Sequence, residues 1–151
     1  MTSPNSGTGY DKSDCEKGGN GYMPISLQYN DYTATYARNP SLAGGDPFEN
    51  FTNRSYKGKS VKTANKQDML SVLETKAKMK GKPVIVSLEM DKPTIMSEFE
   101  GSADAILVNF GVQNQAVLDI ISGKAEPSAL LPLQMPADCL LYTSDAADDR
   151  I

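Results

Sequence analysis

The chain has no histidine, no tryptophan and only two cysteines, Cys15 and Cys139. The missing histidine excludes serine–histidine–aspartate and cysteine–histidine catalysis, and it removes the commonest protein ligand of zinc. Two cysteines are too few for a disulfide framework. Any catalytic chemistry must therefore use carboxylates, lysine, tyrosine or serine, and we expect neither a metal nor a cofactor.

Positive charge is also scarce, with 15 Lys and Arg against 19 Asp and Glu, a net charge of −4. This balance argues against nucleic acid or an anionic membrane as a partner, because both require clustered Lys and Arg. No apolar run approaches the length of a membrane span, and the polar start MTSPNSGTGYDKSD is unlike a secretory signal. A length of 151 residues fits one domain with its own core.

Apolar periodicity predicts alternating helices and strands after residue 64. A helix begins after Asn65, which is placed to cap it, and ends near Gly81. Residues 1–22 are predicted as a loop, because Gly and Pro are interleaved there with Ser, Asn and Asp. The apolar strand that usually opens an α/β domain is therefore expected to be missing. The other predicted elements are strands at 84–88, 106–110 and 130–133, a short helix at 92–101 and a helix at 112–123.

The order β-α-β-α-β, with strands that are apolar throughout, is typical of a parallel sheet covered by helices on both faces. The sequence therefore predicts an α/β fold, a three-layer α/β/α sandwich that is incomplete at both ends. Burial is expected to be highest at six positions: Val84, Val86, Ile106, Val108, Val117 and Ile121.

The acidic stretch YDKSDCE places Asp11, Asp14 and Glu16 near the position where the first strand would end. Loops at the carboxyl ends of parallel strands carry ligand sites in α/β folds. These three carboxylates are therefore candidate site residues, and a solvated loop is the alternative. The ends of the next two predicted strands, residues 87–89 and 109–113, lie at the same edge, where Gly111 admits a ligand or turns the chain.

The run NRSYKGKS at residues 53–60 contains Gly-Lys-Ser but lacks the first glycine, the preceding strand and the following helix of a phosphate-binding loop. The run is therefore interpreted as an exposed turn. The absence of phosphate-loop patterns also counts against an unrelated flavodoxin-like domain.

The run from PVIVSLEMDKP to SALLPLQMP resembles the carboxyl-terminal α/β sandwich of glycoside hydrolase family 3, which contains β-glucosidases and β-xylosidases. The order and spacing of several motifs carry the resemblance. They are the turn Asp91-Lys92-Pro93, the strand ADAIL at 103–107, the helix AVLDIISG at 116–123 and PSALLP at 127–132, with Ala129 where the family usually has Gly. The stretch GGNGYMPISLQYNDYTA is similar to a bacterial branch of the family.

The resemblance implies that residues 1–138 are part of this sandwich domain, and that an Asp nucleophile lies in an amino-terminal TIM barrel. Retaining glycosidases hold two carboxyls about 5–5.5 Å apart, one attacking and one protonating the leaving oxygen. The family's acid is commonly a Glu in a Gly-Glu turn, where this sequence has Thr2 to Asn5 and no Glu. The general acid is therefore either lost or moved to Asp11, Asp14 or Glu16.

The implied function is one wall of the sugar site in an enzyme that hydrolyses terminal β-linked sugars, inactive without the barrel. The parent is expected in the periplasm or outside the cell. A non-catalytic carbohydrate-binding or interaction module is the alternative. Residues 139–151, CLLYTSDAADDRI, resemble a translated sequencing adapter, and we expect them to be a non-native, disordered tail.

Overall fold

The computed structural model describes residues 1–37 and 55–138. The prediction for the tail, residues 139–151, lies outside them. The described elements are α1 (Lys12–Glu16), β1 (Tyr32–Thr33), β2 (Ser60–Val61), α2 (Lys66–Lys78), β3 (Ile85–Glu89), β4 (Ala105–Asn109) and α3 (Asn114–Ile121), with 3-10 turns at Met96–Glu98 and Glu100–Ser102.

Strands β3 and β4 are parallel neighbours, in a register that places Val86 opposite Ile106. The prediction of an α/β fold with a parallel sheet is confirmed. Strands β1 and β2 form a separate antiparallel pair. The predicted short helix at 92–101 was wrong in type, since the chain there makes two 3-10 turns.

The amino terminus lies along the other edge of β3. Thr2 forms a parallel bridge with Glu89, the Ser3 amide donates to the Glu89 carbonyl at 3.0 Å, and the Glu89 amide donates to the Met1 carbonyl at 3.0 Å. The prediction that residues 1–22 are only a loop was therefore wrong at its start. Backbone pairing over three residues leaves no apolar pattern in the sequence, which is why composition missed it.

One face of the sheet carries the core. Val84 and Val86 pack with Met69 and Val72 of α2, and with Tyr29 and Phe99. The Tyr29 and Phe99 rings meet edge to face, with centroids 5.8 Å apart and planes at 77°. The Tyr29 hydroxyl donates to the Thr2 carbonyl at 2.6 Å, so the core also holds the amino terminus in place.

Asn65 precedes α2 as predicted, but its side chain does not cap the helix. Its Oδ1 accepts the Asn5 amide at 2.8 Å, and its Nδ2 donates to the Ser3 carbonyl at 3.0 Å. The long-range bonds occupy the side chain that a local cap would need. Asn65 therefore ties the amino-terminal segment to the start of α2.

Burial on the β4 side is lower than predicted. Ile106, Val108 and Val117 are half-buried, and Ile121 is exposed. Within residues 1–37 and 55–138, β4 has a strand neighbour on one side only, so its side chains lose the cover that an inner strand would have.

The predicted strand at 130–133 was wrong, because no described residue pairs with this stretch and Leu130 is 94% exposed. Pro132 lacks the amide that a sheet ladder requires. Every residue from 121 to 132 is exposed.

Candidate functional site

A cleft of about 260 Å³ lies at the carboxyl ends of three parallel segments, which are the amino-terminal residues, β3 and β4. Ligands of open α/β sheets bind at this edge, because the loops that leave parallel strands meet there. The cleft is the strongest candidate site in the described part of the chain. Its lining residues are Thr2 of the amino-terminal segment, Glu89, Met90 and Asp91 at the end of β3, and Phe110 and Gly111 after β4.

The cleft combines acidic and aromatic groups. The Glu89 and Asp91 side chains are exposed, and Phe110 is 52% exposed. Lys92 Nζ lies 3.1 Å from Asp91 Oδ1. The slight loss of hydration at the cleft wall opposes ionisation of Asp91, but hydrogen bonding and charge from Lys92 outweigh it and lower the pKa of this carboxyl. Ionised carboxylates accept hydrogen bonds, so the cleft offers acceptors to a ligand that carries hydrogen-bond donors.

Gly111 turns the chain where β4 ends. Its φ is +84°, in the left-handed region that favours glycine, and its amide donates to Asn109 Oδ1 at 3.2 Å. No atom lies within 4 Å of the position that a Cβ would occupy. The turn therefore accounts for the glycine, and the space beside it stays open to the cleft.

The predicted acidic residues lie on and beside the short helix α1 rather than on an irregular loop. Asp11 precedes the helix, and its carboxylate accepts the Ser13 amide at 2.8 Å. Hydrogen bonds from Ser13 lower the pKa of Asp11. Asp11 thus has a structural role as the helix cap.

Asp14 links α1 to the chain before β2. Its Oδ2 lies 2.7 Å from Lys59 Nζ and accepts the Gly21 amide at 2.8 Å. The hydrogen bond from Lys59, followed by the bond from Gly21, lowers the pKa of Asp14. A Cβ on Gly19 would overlap the Asp14 carboxylate. The packing around Asp14 therefore depends on this glycine.

Glu16 is exposed at the end of α1, and no residue in the described ranges bonds its carboxylate. The structure brings Asp11, Asp14 and Glu16 together on one short segment, but none of them lines the cleft. Their predicted catalytic role stays a prediction.

Sequence reasoning missed two features of this region. Thr2 had no signal as a lining residue, because backbone pairing alone places it. Lys59 belonged to the rejected Gly-Lys-Ser pattern, and its bond to Asp14 joins residues 45 positions apart. In the described ranges, no three Asp, Glu or Cys side chains group as a metal site, and no helix is long and apolar enough to cross a membrane.

The parallel sheet and its helices are those of an α/β domain. Residues 27–150 match the family model described as "Glycosyl hydrolase family 3 C-terminal domain". The chain belongs to this family, which confirms the resemblance found in its motifs.

Curated relatives are β-glucosidases. Over 66 residues the chain is 30% identical to beta-glucosidase C of Emericella nidulans, covering 44% of this chain and 11% of that protein. Over 55 residues it is 33% identical to the probable beta-glucosidase C of Aspergillus flavus, covering 36% and 9%. Over 87 residues it is 26% identical to the periplasmic beta-glucosidase/beta-xylosidase of Dickeya chrysanthemi, covering 58% and 13%.

The matched region is about a tenth of the length of these relatives. They come from fungi and from Dickeya, so the predicted bacterial origin stays a prediction. No solved structure matches the chain significantly.

Proposed function

We propose that this chain forms one wall of the sugar site in a β-glycosidase that hydrolyses terminal β-linked sugars, of the β-glucosidase or β-xylosidase type. Family membership and the β-glucosidase relatives support this proposal. The observation that carries it in the structure is the cleft at the carboxyl ends of the parallel segments, with Glu89, Asp91 and Phe110 around it. These groups offer hydroxyl acceptors and an apolar ring to a sugar.

The division of labour follows from the chemistry of retaining glycosidases. One carboxylate attacks the anomeric carbon while a second carboxyl protonates the leaving oxygen, and the two stand about 5–5.5 Å apart. The family resemblance implies that the nucleophile belongs to an amino-terminal barrel. This chain would then bind the sugar and supply the acid, and it would be inactive by itself.

The candidate acids differ in their hydrogen bonds and in their positions relative to the cleft. A general acid is most effective when its pKa lies near the working pH. Hydrogen bonds lower the pKa of Asp11 and of Asp14, and Asp14 is also held by Lys59, so both are poor proton donors. Glu16 is exposed at the end of α1 and, like the other two, does not line the cleft. Glu89 is the strongest candidate because it lines the cleft, and a general acid must lie within hydrogen-bond reach of the leaving oxygen.

The test uses the full-length parent with its barrel and four amide variants, Asp11→Asn, Asp14→Asn, Glu16→Gln and Glu89→Gln. Loss of the true acid should reduce turnover of a cellobiose-like substrate by about 10²–10⁴-fold. Turnover of dinitrophenyl glucoside should fall far less, because its good leaving group departs with little help from a proton. Glu100→Gln, at an exposed Glu outside the cleft lining, is the matched control and should keep both rates.

We expect the large, leaving-group-dependent loss for Glu89→Gln, because Glu89 is the one of the four that lines the cleft. The same loss in Glu16→Gln alone would move the acid to the end of α1. Wild-type rates on both substrates in all four variants would show that this chain does not supply the acid. Hydrolysis of aryl β-glucosides by the isolated chain would contradict the need for a barrel.

A non-catalytic carbohydrate-binding module is the second candidate. It is favoured by the structural bonds that Asp11 and Asp14 already make, since these leave neither carboxylate ready to donate a proton. A full-length parent that binds glucose or xylose, as measured by calorimetry, but shows no turnover would support the binding module.

A further inference from the structure

Two buried hydroxyl groups adjoin the residues that line the cleft. Ser3 is 4% exposed and Thr94 is fully buried, and Thr94 Oγ1 donates to Ser3 Oγ at 3.2 Å. The two residues are 91 positions apart in the chain. A buried hydroxyl group lowers stability unless it is hydrogen-bonded. The bonds that this pair makes therefore indicate its role.

The Ser3 hydroxyl holds the turn that follows β3. Its Oγ donates to the Lys92 carbonyl at 3.1 Å and accepts the Asp91 amide at 3.3 Å. The Ser3 amide donates to the Glu89 carbonyl at 3.0 Å. A single residue thus fixes the backbone on both sides of Asp91, whose side chain lines the cleft.

The same turn is also held from the side of β4, and its carboxylate stays accessible. The Met90 amide donates to the Asn109 carbonyl at 2.8 Å. Lys92 Nζ lies 3.1 Å and 3.3 Å from the two carboxylate oxygens of Asp91. The Asp91 side chain is nevertheless 75% exposed, so its remaining lone pairs are open to a ligand in the cleft.

We propose that Asp91 binds hydroxyl groups of the terminal sugar, and that the buried hydroxyls of Ser3 and Thr94 position it for this contact. This inference rests on the proposed function, since it takes the cleft as part of the sugar site. Asp91 would be a binding residue, whereas Ser3 and Thr94 would be positioning residues that act through it.

The charge of Asp91 fits a binding role better than an acid role. Loss of hydration opposes its ionisation, but Lys92 and, more weakly, the Ser3 hydroxyl lower the pKa of this carboxyl. An ionised carboxylate accepts hydrogen bonds from sugar hydroxyls and has no proton to give to a leaving oxygen. The roles of Asp91 and of Glu89 in the cleft are therefore distinct.

The test is a double-mutant cycle in the full-length parent, with glucose or xylose affinity measured by calorimetry. Asp91→Ala should weaken binding by about 10- to 100-fold, the range for hydrogen bonds to a charged group. Ser3→Ala should weaken it by about three- to tenfold. The double variant should bind no more weakly than Asp91→Ala alone, because residues that act through one another are not additive.

The chain offers a matched control for the loss of a buried serine hydroxyl. Ser26 is 1% exposed, and its Oγ accepts the Gln28 amide at 3.1 Å and donates to the Gln28 carbonyl at 3.2 Å. It does not line the cleft, so Ser26→Ala should lower stability but keep the wild-type affinity. Thr94→Val removes the other hydroxyl and should weaken binding as Ser3→Ala does, whereas Thr94→Ser keeps the hydroxyl and should bind like the wild type.

A second measurement does not depend on sugar binding. In the 151-residue chain, NMR titration of the Asp91 carboxyl should show that Ser3→Ala raises the pKa of Asp91 towards its ordinary value, and that Ser26→Ala leaves it unchanged. An unchanged pKa in Ser3→Ala, additive losses in the cycle or an equal loss of affinity in Ser26→Ala would overturn the positioning role.

The remaining outcomes separate this inference from the proposed function. Wild-type affinity in Asp91→Ala would overturn the sugar contact, even in a parent that turns over substrate. A parent that binds the sugar without turnover would contradict the enzymatic function, and the cycle would still decide the role of Asp91. A parent that binds neither glucose nor xylose would overturn both proposals.

Discussion

Tyr29 shows how much of this domain depends on single buried side chains. It is fully buried, its ring contacts Phe99, and its hydroxyl donates to the Thr2 carbonyl. Burial, followed by the negative charges of Asp68 and Glu98, raises the pKa of this phenol well above its ordinary value. The neutral phenol is therefore part of the folded state.

A pH dependence of stability follows from Tyr29. Because its folded pKa is raised, the stabilisation is fully present below the unfolded pKa of 10.0 and is lost as pH rises above that value. We expect the melting temperature to fall between pH 9 and pH 11.5, measured by circular dichroism, and Tyr29→Phe to flatten this fall. Tyr36→Phe, at a ring that is 73% exposed, is the matched control and should keep the wild-type slope. An unchanged slope in Tyr29→Phe would contradict the assignment.

A second test at a single residue concerns the space around Gly19. A methyl group there would meet the Asp14 carboxylate, which is already held by Lys59 and the Gly21 amide. Gly19→Ala should destabilise the domain by about 1–3 kcal/mol, the usual cost of overpacking, in urea unfolding. Gly101→Ala adds a methyl group where nothing lies within 4 Å and should change the free energy of unfolding little. Equal changes in the free energy of unfolding in the two variants would show that α1 accommodates the added methyl group without loss of stability.

The acidic residues around α1 could be predicted from the sequence as candidates, but their partners could not. The acidic run around α1 was visible as composition, whereas the Asp14–Lys59 pair joins two segments with no shared pattern. Thr2 and Asn65 carry long-range bonds to groups that any residue could offer, such as backbone amides and carbonyls. Such bonds leave no signal in residue type or spacing.

At the scale of elements, length and apolar content were enough to locate β3, β4 and α3. Strands predicted at 84–88 and 106–110 occur as Ile85–Glu89 and Ala105–Asn109, each shifted by one residue. Helix α3 occurs as Asn114–Ile121 inside the predicted 112–123. The strand predicted at 130–133 does not form, because an apolar run becomes a strand only beside a pairing partner.

The element most affected by its surroundings is β3. It is inner to the sheet at its carboxyl end, between Thr2 and β4, and an edge strand at Ile85, which is 43% exposed. Exposed edges with unpaired backbone groups are sites of strand addition. The same strand therefore ends at the candidate cleft and begins as an exposed edge.

For the whole molecule, the core is built on one side of a small sheet. Among the described residues, the buried hydrophobic side chains come from the segment around Tyr29, from α2, from β3 and its flanks and from the chain beside the 3-10 turns, whereas α3 contributes none. Stability should therefore be concentrated around α2 and β3 and be lowest towards the end of the described chain.

The fully exposed stretch from residue 121 to 132 has a practical consequence for anyone purifying this protein. Proteases cut most readily where a chain is exposed and lacks secondary structure, and Lys124 is the basic residue in this stretch. Brief trypsin treatment should therefore cleave after Lys124 before it cleaves after Lys66 or Lys76 of α2, as mass spectrometry of the products would show. The product ending at Lys124 keeps every buried side chain of the described core, so it should retain the far-UV circular dichroism of a folded domain.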